Sequence, residues 1–202
     1  MDVTIPFSEA CERNKDIILE VLNPYLETID SVLEIGSGTT QHAIHFAKTH
    51  KSLQWQCADQ GMYLDGIRAQ LSTAKLANVK QPLEIDVNQL SWVPSGQRYP
   101  AVYTANTFHI MTQSDVERFF IGLPKVVTQE ALLMVYGPFK YAGKFTSASN
   151  ADFDASLRSR GVGSAIRDFE LVNQLASDVG FSLLEDHLMP ANNQCLIWQR
   201  KV

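Results

Sequence analysis

Three acidic side chains and two glycines carry the first chemical signal in this 202-residue sequence. Glu34-Ile-Gly36-Ser37-Gly38 follows a short apolar run, Asp59 ends a second run, and Asp86 lies in a third. Gly36 and Gly38 permit tight backbone geometry and leave no β-carbon in a ligand's way. Glu34, two residues before the first glycine, is where a carboxylate can meet an ammonium group. A helix opening near Thr39 can direct amides and its positive dipole end at a carboxylate. A ligand with an amino-acid end fits this arrangement better than a pyrophosphate does. Asp59 can accept both hydroxyls of a ribose, and Asp86 is placed to bond an adenine amino group. The plainer reading of either aspartate is a cap on a helix or turn.

Other side chains could serve a second ligand. Asn106 and His109 follow the fourth apolar run; Asn106 could bond a substrate amine or hold the cofactor. His109 is the general-base candidate, because an imidazole titrates near neutrality, and its alternative is a packed ring bonded to backbone. Tyr136 ends the fifth run and could line an acceptor pocket or pack beneath the loop that follows. Arg13, Asn14 and Arg167 are candidates for binding an acidic substrate, since guanidinium groups take carboxylates with two parallel hydrogen bonds. Arg158 and Arg160 could likewise hold an acidic substrate or close over the cofactor, although solvated surface arginines are the default reading of both. His42 and His45 lie one turn apart, but no third ligand is apparent, so they read as helix residues rather than a metal pair.

The elements that must position these groups alternate between short apolar runs and amphipathic patterns, the mark of a parallel sheet with helices on both faces. A helix is predicted from Ser8 to Leu22 (8–23 at its widest), with Ser8 as N-cap and Pro24 after its end. Strands are predicted at Ser31–Gly36, Leu53–Ala58, Pro82–Val87, Pro100–Ala105 and Ala131–Tyr136. Between them come a helix over Thr39–His50 and one marked by Leu64, Ile67 and Leu71. Ser114-Asp-Val-Glu117 predicts a capping box for a helix carrying Phe119, Phe120 and Leu123. The stretch 137–166 breaks the rhythm and reads as a long active-site loop insertion or a decorated surface loop. A helix over Arg167–Val179, closed by Gly180, leads to runs at Phe181–Leu188 and Gln194–Arg200. Their link, Met189–Asn193, is too short for a crossover, so they should pair antiparallel. The expected architecture is one α/β domain over 1–202, a doubly wound, mostly parallel seven-stranded sheet ending in an antiparallel hairpin.

Composition narrows the function. With 45% hydrophobic and 19% charged residues the chain reads as an ordinary globular enzyme. A net charge of −5 and a pI near 5.5 weigh against a nucleic-acid binder that relies on phosphate contacts. Cys11, Cys57 and Cys195 are widely spaced, as expected of reduced thiols in a cytoplasm. No signal peptide or membrane span is expected. A small-molecule substrate and a monomer or homodimer are the expectation.

Glu34-x-Gly36-x-Gly38 with Asp59 and Asp86 resembles the nucleotide-binding set of the class I S-adenosylmethionine-dependent methyltransferases. The resemblance runs from about Ser31 to the C-terminus. It implies S-adenosylmethionine as cofactor, with Glu34, Gly36 and Gly38 flanking the methionine moiety, Asp59 the ribose and Asp86 the adenine. Many members carry a third glycine where Thr40 stands. Glu12–Lys15, Gly38–His42, Asn106–His109, Tyr136–Phe139, Ser149-Asn150 through Arg158, Ile166–Asp168 and Met189–Asn193 are similar to a smaller family that includes methyltransferase-like protein twenty-six. Gly161–Ser164 departs from a tryptophan-containing stretch there. Two rivals stand beside methyl transfer. One is a dinucleotide-dependent oxidoreductase, against which Gln41 stands where its third glycine belongs. The other is a non-catalytic module keeping the fold and a bound nucleotide.

Overall fold

The structure is a computed structural model that describes residues 7–89 and 96–201, so the ends of the expected 1–202 unit lie outside the described residues. Its elements run α1 (Glu9–Leu26), β1 (Ser31–Ile35), α2 (Gln41–Thr49), β2 (Gln54–Asp59), α3 (Leu64–Ala74), β3 (Val79–Glu84), β4 (Tyr99–Ala105) and α4 (Gln113–Gly122). They continue with β5 (Val127–Gly137), β6 (Phe139–Tyr141), β7 (Lys144–Phe145), α5 (Ala148–Ser159), β8 (Arg167–Asp168), α6 (Phe169–Asp178), β9 (Phe181–Met189) and β10 (Asn193–Arg200). Seven strands form one sheet in the order β3-β2-β1-β4-β5-β10-β9. Strands β1 to β5 pair in parallel, and β10 runs antiparallel to both β5 and β9. This is the doubly wound sheet with a terminal hairpin that the sequence pattern implied. Strand order reverses between β1 and β4, the point where such sheets open a crevice for ligands.

Each face of the sheet buries its own core. One, under α4 and α6, gathers Leu33, Ile35, Phe108, Phe119, Phe120, Leu133, Val135 and Trp198. The other, under α1, α2 and α3, gathers Ile18, Leu22, Leu26, Phe46, Trp55, Tyr103, Met134 and Ile197. Burying each large aliphatic side chain contributes about 1.5–3 kcal/mol, which explains two departures from the sequence reading. Helix α1 continues through Pro24 to Leu26, because the buried Leu26 offsets the backbone bond that a proline in the last turn gives up. Strand β5 starts at Val127, earlier than expected, with Glu130 at φ 60 where its register against β4 shifts.

Other boundaries move for local reasons. Strand β3 ends at Glu84, leaving Asp86 beyond it; Pro82 fits because β3 is an edge strand. The capping box of α4 is Thr112 with Asp115, not Ser114 with Glu117. The Thr112 hydroxyl accepts from Asp115 N at 3.1 Å, and the Asp115 carboxylate accepts from Thr112 N at 3.1 Å. Turn bonds from Ile110 N and Met111 N to Thr107 O bring the chain into helical register two residues early. Residues 167–168 are strand β8, paired with Phe139 and Lys140 of β6, so the following helix starts at Phe169.

The stretch 137–166 is a folded unit rather than a loop. Strands β6, β7 and β8 make a second small sheet, and α5 is capped by Ser147, whose hydroxyl accepts from Asn150 N at 3.1 Å. No helix among the described residues is long and apolar enough to cross a membrane.

Candidate active site

The carboxyl edge of the sheet opens into a cleft of about 330 Å³ at the strand-order reversal. Every turn leaving β1 to β4 contributes to its wall: Gly36 after β1, Asp59 and Gln60 after β2, Ile85 and Val87 after β3, and Thr107 and Met111 after β4. Gly36 has φ 77, and a β-carbon there would stand 2.5 Å from Thr107 Oγ1. Glycine at 36 is therefore required twice, by its backbone conformation and by the close approach of the fourth turn. Gly38 N donates to Asp59 Oδ2 at 2.8 Å, and Gln60 N donates to Oδ1 of the same carboxylate at 2.8 Å. Those bonds tie the β1 turn to the end of β2 and fix the Asp59 carboxylate at the cleft. Burial raises its pKa while the two amides oppose that rise. Thr40, where a third glycine was absent, holds φ 54 and is fully buried; its hydroxyl bonds to Thr39 O at 2.8 Å. The chain keeps the left-handed turn without the glycine.

Glu34 lies beneath this turn, 2% exposed, rather than on the cleft wall. Its carboxylate accepts from Trp55 Nε1 at 3.0 Å and faces the Cys57 thiol at 3.8 Å. Burial pushes its pKa up to about 7, against the opposing pull of the Trp55 and Ser37 hydrogen bonds. Ser37 is buried, and its hydroxyl accepts from Ala58 N at 3.1 Å, locking the turn onto β2. Asp86 stands between the two wall residues Ile85 and Val87, but its Oδ1 accepts from both Asn88 N and Asn88 Nδ2 at 2.9 Å. It caps a turn and does not itself line the cleft.

The two catalytic candidates do not meet. Asn106 (φ 55) and His109 approach Gly137: a β-carbon on that glycine would lie 3.8 Å from His109 Nδ1 and 3.9 Å from Asn106 Oδ1. His109 is buried, with its ring edge-on to Phe153 of α5 at 5.3 Å, and its carbonyl accepts from Ala165 N. Burial first, and then the nearby Arg167 and Arg160, lower its pKa to about 4, so the imidazole is neutral at pH 7. Tyr136 faces the other side of the sheet, toward the side-chain amides of Asn14 and Asn193, and burial raises its pKa. Asn14 in turn accepts from His42 Nε2 at 2.7 Å, and Tyr103 donates its hydroxyl to His42 Nδ1 at 3.3 Å. His42 is thus a neutral network residue, with a pKa lowered to about 4 mainly by burial, and His45 pairs with Asp16 at 2.8 Å.

The arginine candidates occupy different settings. Arg167 is buried, and its guanidinium donates to the carbonyls of Phe108, Met111 and Gly163 at 3.1, 2.5 and 2.9 Å. It clamps the insertion to the turn after β4 and is not free for a substrate. Arg13 is on the exposed side of α1, its side chain 73% exposed and 4.0 Å from Glu9. Arg158 pairs with Asp154 at 2.5 Å, while Arg160 reaches the cleft wall. Thr107, Met111, Asp115, Val162 and Ser164 are cleft residues that sequence reasoning missed. Position just past β4 could have flagged the first two; the others come from α4 and the insertion, which no motif tied to the cleft.

Comparison with known proteins agrees with the fold. The model of a family described as "Protein of unknown function (DUF938)" matches residues 5–200. The fold is similar to the S-adenosylmethionine-dependent methyltransferase SibL in its apo form (TM-score 0.79, 18% identity over 96% of this chain and 56% of that one). It is also similar to an O-methyltransferase family protein from Burkholderia thailandensis (0.73, 14%, 95% and 60%). Human N-acetylserotonin methyltransferase in complex with SAM is a third such neighbour (0.79, 11%, 96% and 53%). The chain spans between half and two thirds of the length of these proteins.

Proposed function

The chain belongs to the DUF938 family of proteins of unknown function, and from that premise we propose that it transfers a methyl group from S-adenosylmethionine to a small-molecule acceptor. The observation that carries this reading is the Gly36 turn, pressed against Thr107 and bonded through Gly38 N to the Asp59 carboxylate, at the mouth of the cleft. The donor set fits the cofactor. Glu34 is a buried carboxylate with no cation bonded to it among the described residues, and it can serve an ammonium group only where the Gly36 turn above it gives way, since it does not line the cleft. Asp59 retains lone pairs for ribose hydroxyls beyond the two amides it accepts. Ile35, Ile85 and Val87 offer apolar surface to a base. Asp86 is placed to serve the adenine only by letting go of Asn88. The segments resembling the family of methyltransferase-like protein twenty-six support the same reading, as do the methyltransferase neighbours of the fold.

When bound, S-adenosylmethionine supplies a methyl group on a positively charged sulfur, already activated toward a nucleophile. The protein's own work is then chiefly to hold donor and acceptor in line. Asn106 can orient an acceptor by hydrogen bonding. His109, neutral and with no ring hydrogen bond to a described residue, is buried outside the cleft lining and can receive a proton from an acceptor hydroxyl only where the acceptor reaches past that lining. Tyr136 and Asn14 brace the edge from the opposite side. The free thiols Cys11, Cys57 and Cys195 suit a reducing cytoplasm as the place of reaction.

Calorimetry on the purified protein tests the assignment. Binding of S-adenosylmethionine and S-adenosylhomocysteine is expected in the micromolar range, about −8 kcal/mol. Absence of binding at millimolar ligand, or preferential binding of a nicotinamide dinucleotide in a fluorescence titration, overturns it.

A further inference from the structure

The insertion between β5 and α6 carries three arginines, and the structure accounts for two. Arg158 is held by Asp154, and Arg167 is spent on three carbonyls. Arg160, at the C-cap of α5, lines the cleft and makes no side-chain hydrogen bond or ion pair with another described residue. Neither carboxylate that shares the cleft pairs with Arg160. Asp59 accepts two amides, and Asp115 accepts from Thr112 and pairs with Arg118 at 3.4 Å. An unpaired guanidinium is a poor neighbour for a cationic methyl donor unless an anion stands beside it.

The guanidinium is carried on a fixed base. Ser164 Oγ donates to Ile110 O at 2.6 Å, Ala165 N to His109 O at 3.1 Å, and Ile166 N to the Asp154 carboxylate at 2.7 Å. Gly161, at φ 70, reverses the chain directly after Arg160. The cleft rim around it is apolar and open: Tyr63, Ile110 and Val162 are all exposed there. Arg160 also stands near enough to His109 to depress its basicity.

We propose that Arg160 is an acceptor-binding residue and that the acceptor is a small, partly apolar organic acid, its anionic oxygens held by this guanidinium. The inference rests on the methyl-transfer reading and names its substrate class. Two parallel hydrogen bonds from a guanidinium suit a carboxylate or a phosphate, and the apolar rim takes the rest of the molecule. The bound anion would offset the positive field on His109 and so strengthen it as a proton acceptor.

The test is calorimetry with salicylate, its neutral amide salicylamide, and phenyl phosphate, on protein with and without saturating S-adenosylhomocysteine. Salicylate is expected to bind at least about tenfold more tightly than salicylamide. Arg160→Gln should erase that difference without changing S-adenosylhomocysteine affinity, and Arg158→Gln should keep it. Phenyl phosphate binding more tightly than salicylate, and losing that advantage in Arg160→Gln, supports the anion site and identifies phosphate as its group. Equal binding of acid and amide, no binding of either, or a tenfold loss of S-adenosylhomocysteine affinity in Arg160→Gln overturns the proposal. Failure of wild-type protein to bind S-adenosylhomocysteine sinks methyl transfer separately. An Arg160-dependent preference for the acid in that case leaves an anion site without that chemistry.

Discussion

On the face of the sheet under α4 and α6, the rings of Phe108, Phe119 and Phe120 meet edge to face at 5.1 to 5.9 Å amid aliphatic side chains. The face under α1, α2 and α3 buries comparable bulk but threads polar groups through it. Glu34 bonds Trp55 and faces Cys57, and His42 links Asn14 to Tyr103. The packed hydrocarbon of the first face supplies stability that no proton can alter. The second reaches up beneath the Gly36 turn and keeps a carboxylate there whose charge is expensive until a cation arrives. Holding the fold and tuning the site are thus assigned to opposite sides of one sheet.

The largest test of that contrast is on the hydrocarbon face. Phe120→Ala removes a ring that is 1% exposed and should cost about 3–5 kcal/mol in urea unfolding. The loss should be the same at pH 5 and pH 8. A loss that varies with pH by more than about 1 kcal/mol breaks the division of labour, since that much is most of one pKa unit.

Glu34 makes the opposite prediction. Its folded pKa, about 7, lies above the ordinary value of 4.5 for a glutamate, so protonation favours the folded state. The stability it contributes is complete below pH 4.5 and is lost as pH rises through 7. His42 and His109, lowered to about 4 from 6.5, work the other way and lose stability as pH falls from 6.5 toward 4. Wild-type curves therefore mix opposing slopes, and the informative quantity is a difference. Without ligand, Glu34→Gln should gain roughly 3 kcal/mol on wild type between pH 4.5 and pH 8. A flat difference would mean that Glu34 is ionised in the folded protein at low pH.

Where the two faces meet, at the Gly36 turn, the expected effect is on binding. Gly36→Ala forces a β-carbon to 2.5 Å from Thr107 Oγ1 at φ 77. The left-handed backbone costs about 1–2 kcal/mol and the overlap about 1–3. S-adenosylhomocysteine affinity should drop roughly 100-fold, about 2.7 kcal/mol, and adding Thr107→Ala should recover part of it. Unchanged affinity in Gly36→Ala would move the ligand away from this turn.

The same division explains what the sequence disclosed. Strands β1, β2, β4 and β10 are short apolar runs, and the glycine pair follows one of them, so the sheet and the glycine turn at its edge could be read from pattern alone. Helix α5 could not. Its buried residues are Asn150 and Asp154 as well as Leu157, so no apolar stripe marks it. The partners of Arg167 were not legible, because a guanidinium's partners can come from distant turns. Arg167 finds the carbonyls of Phe108 and Met111, more than fifty residues away, while Arg160 differs from Arg158 only in having no Asp154 one turn behind it. Asp86 and Asp59 look alike in sequence. The first spends its oxygen on Asn88, two residues on, and the second receives the amide of Gly38 across the sheet.

The smallest predicted effect concerns Gln194, on the α4–α6 face next to Gly137 in the sheet register. It is 1% exposed, and neither its amide nitrogen nor its oxygen has a hydrogen-bond partner among the described residues. An unpartnered buried amide opposes folding, whereas methionine has nearly the same length and no strong polar group. Gln194→Met should therefore raise stability by about 1 kcal/mol, read as a shift of the urea midpoint at unchanged slope. The gain should be equal at pH 5 and pH 8, since no charge changes on this face. A loss of stability instead would show that the amide has a partner, and that the hydrocarbon face carries a polar device of its own.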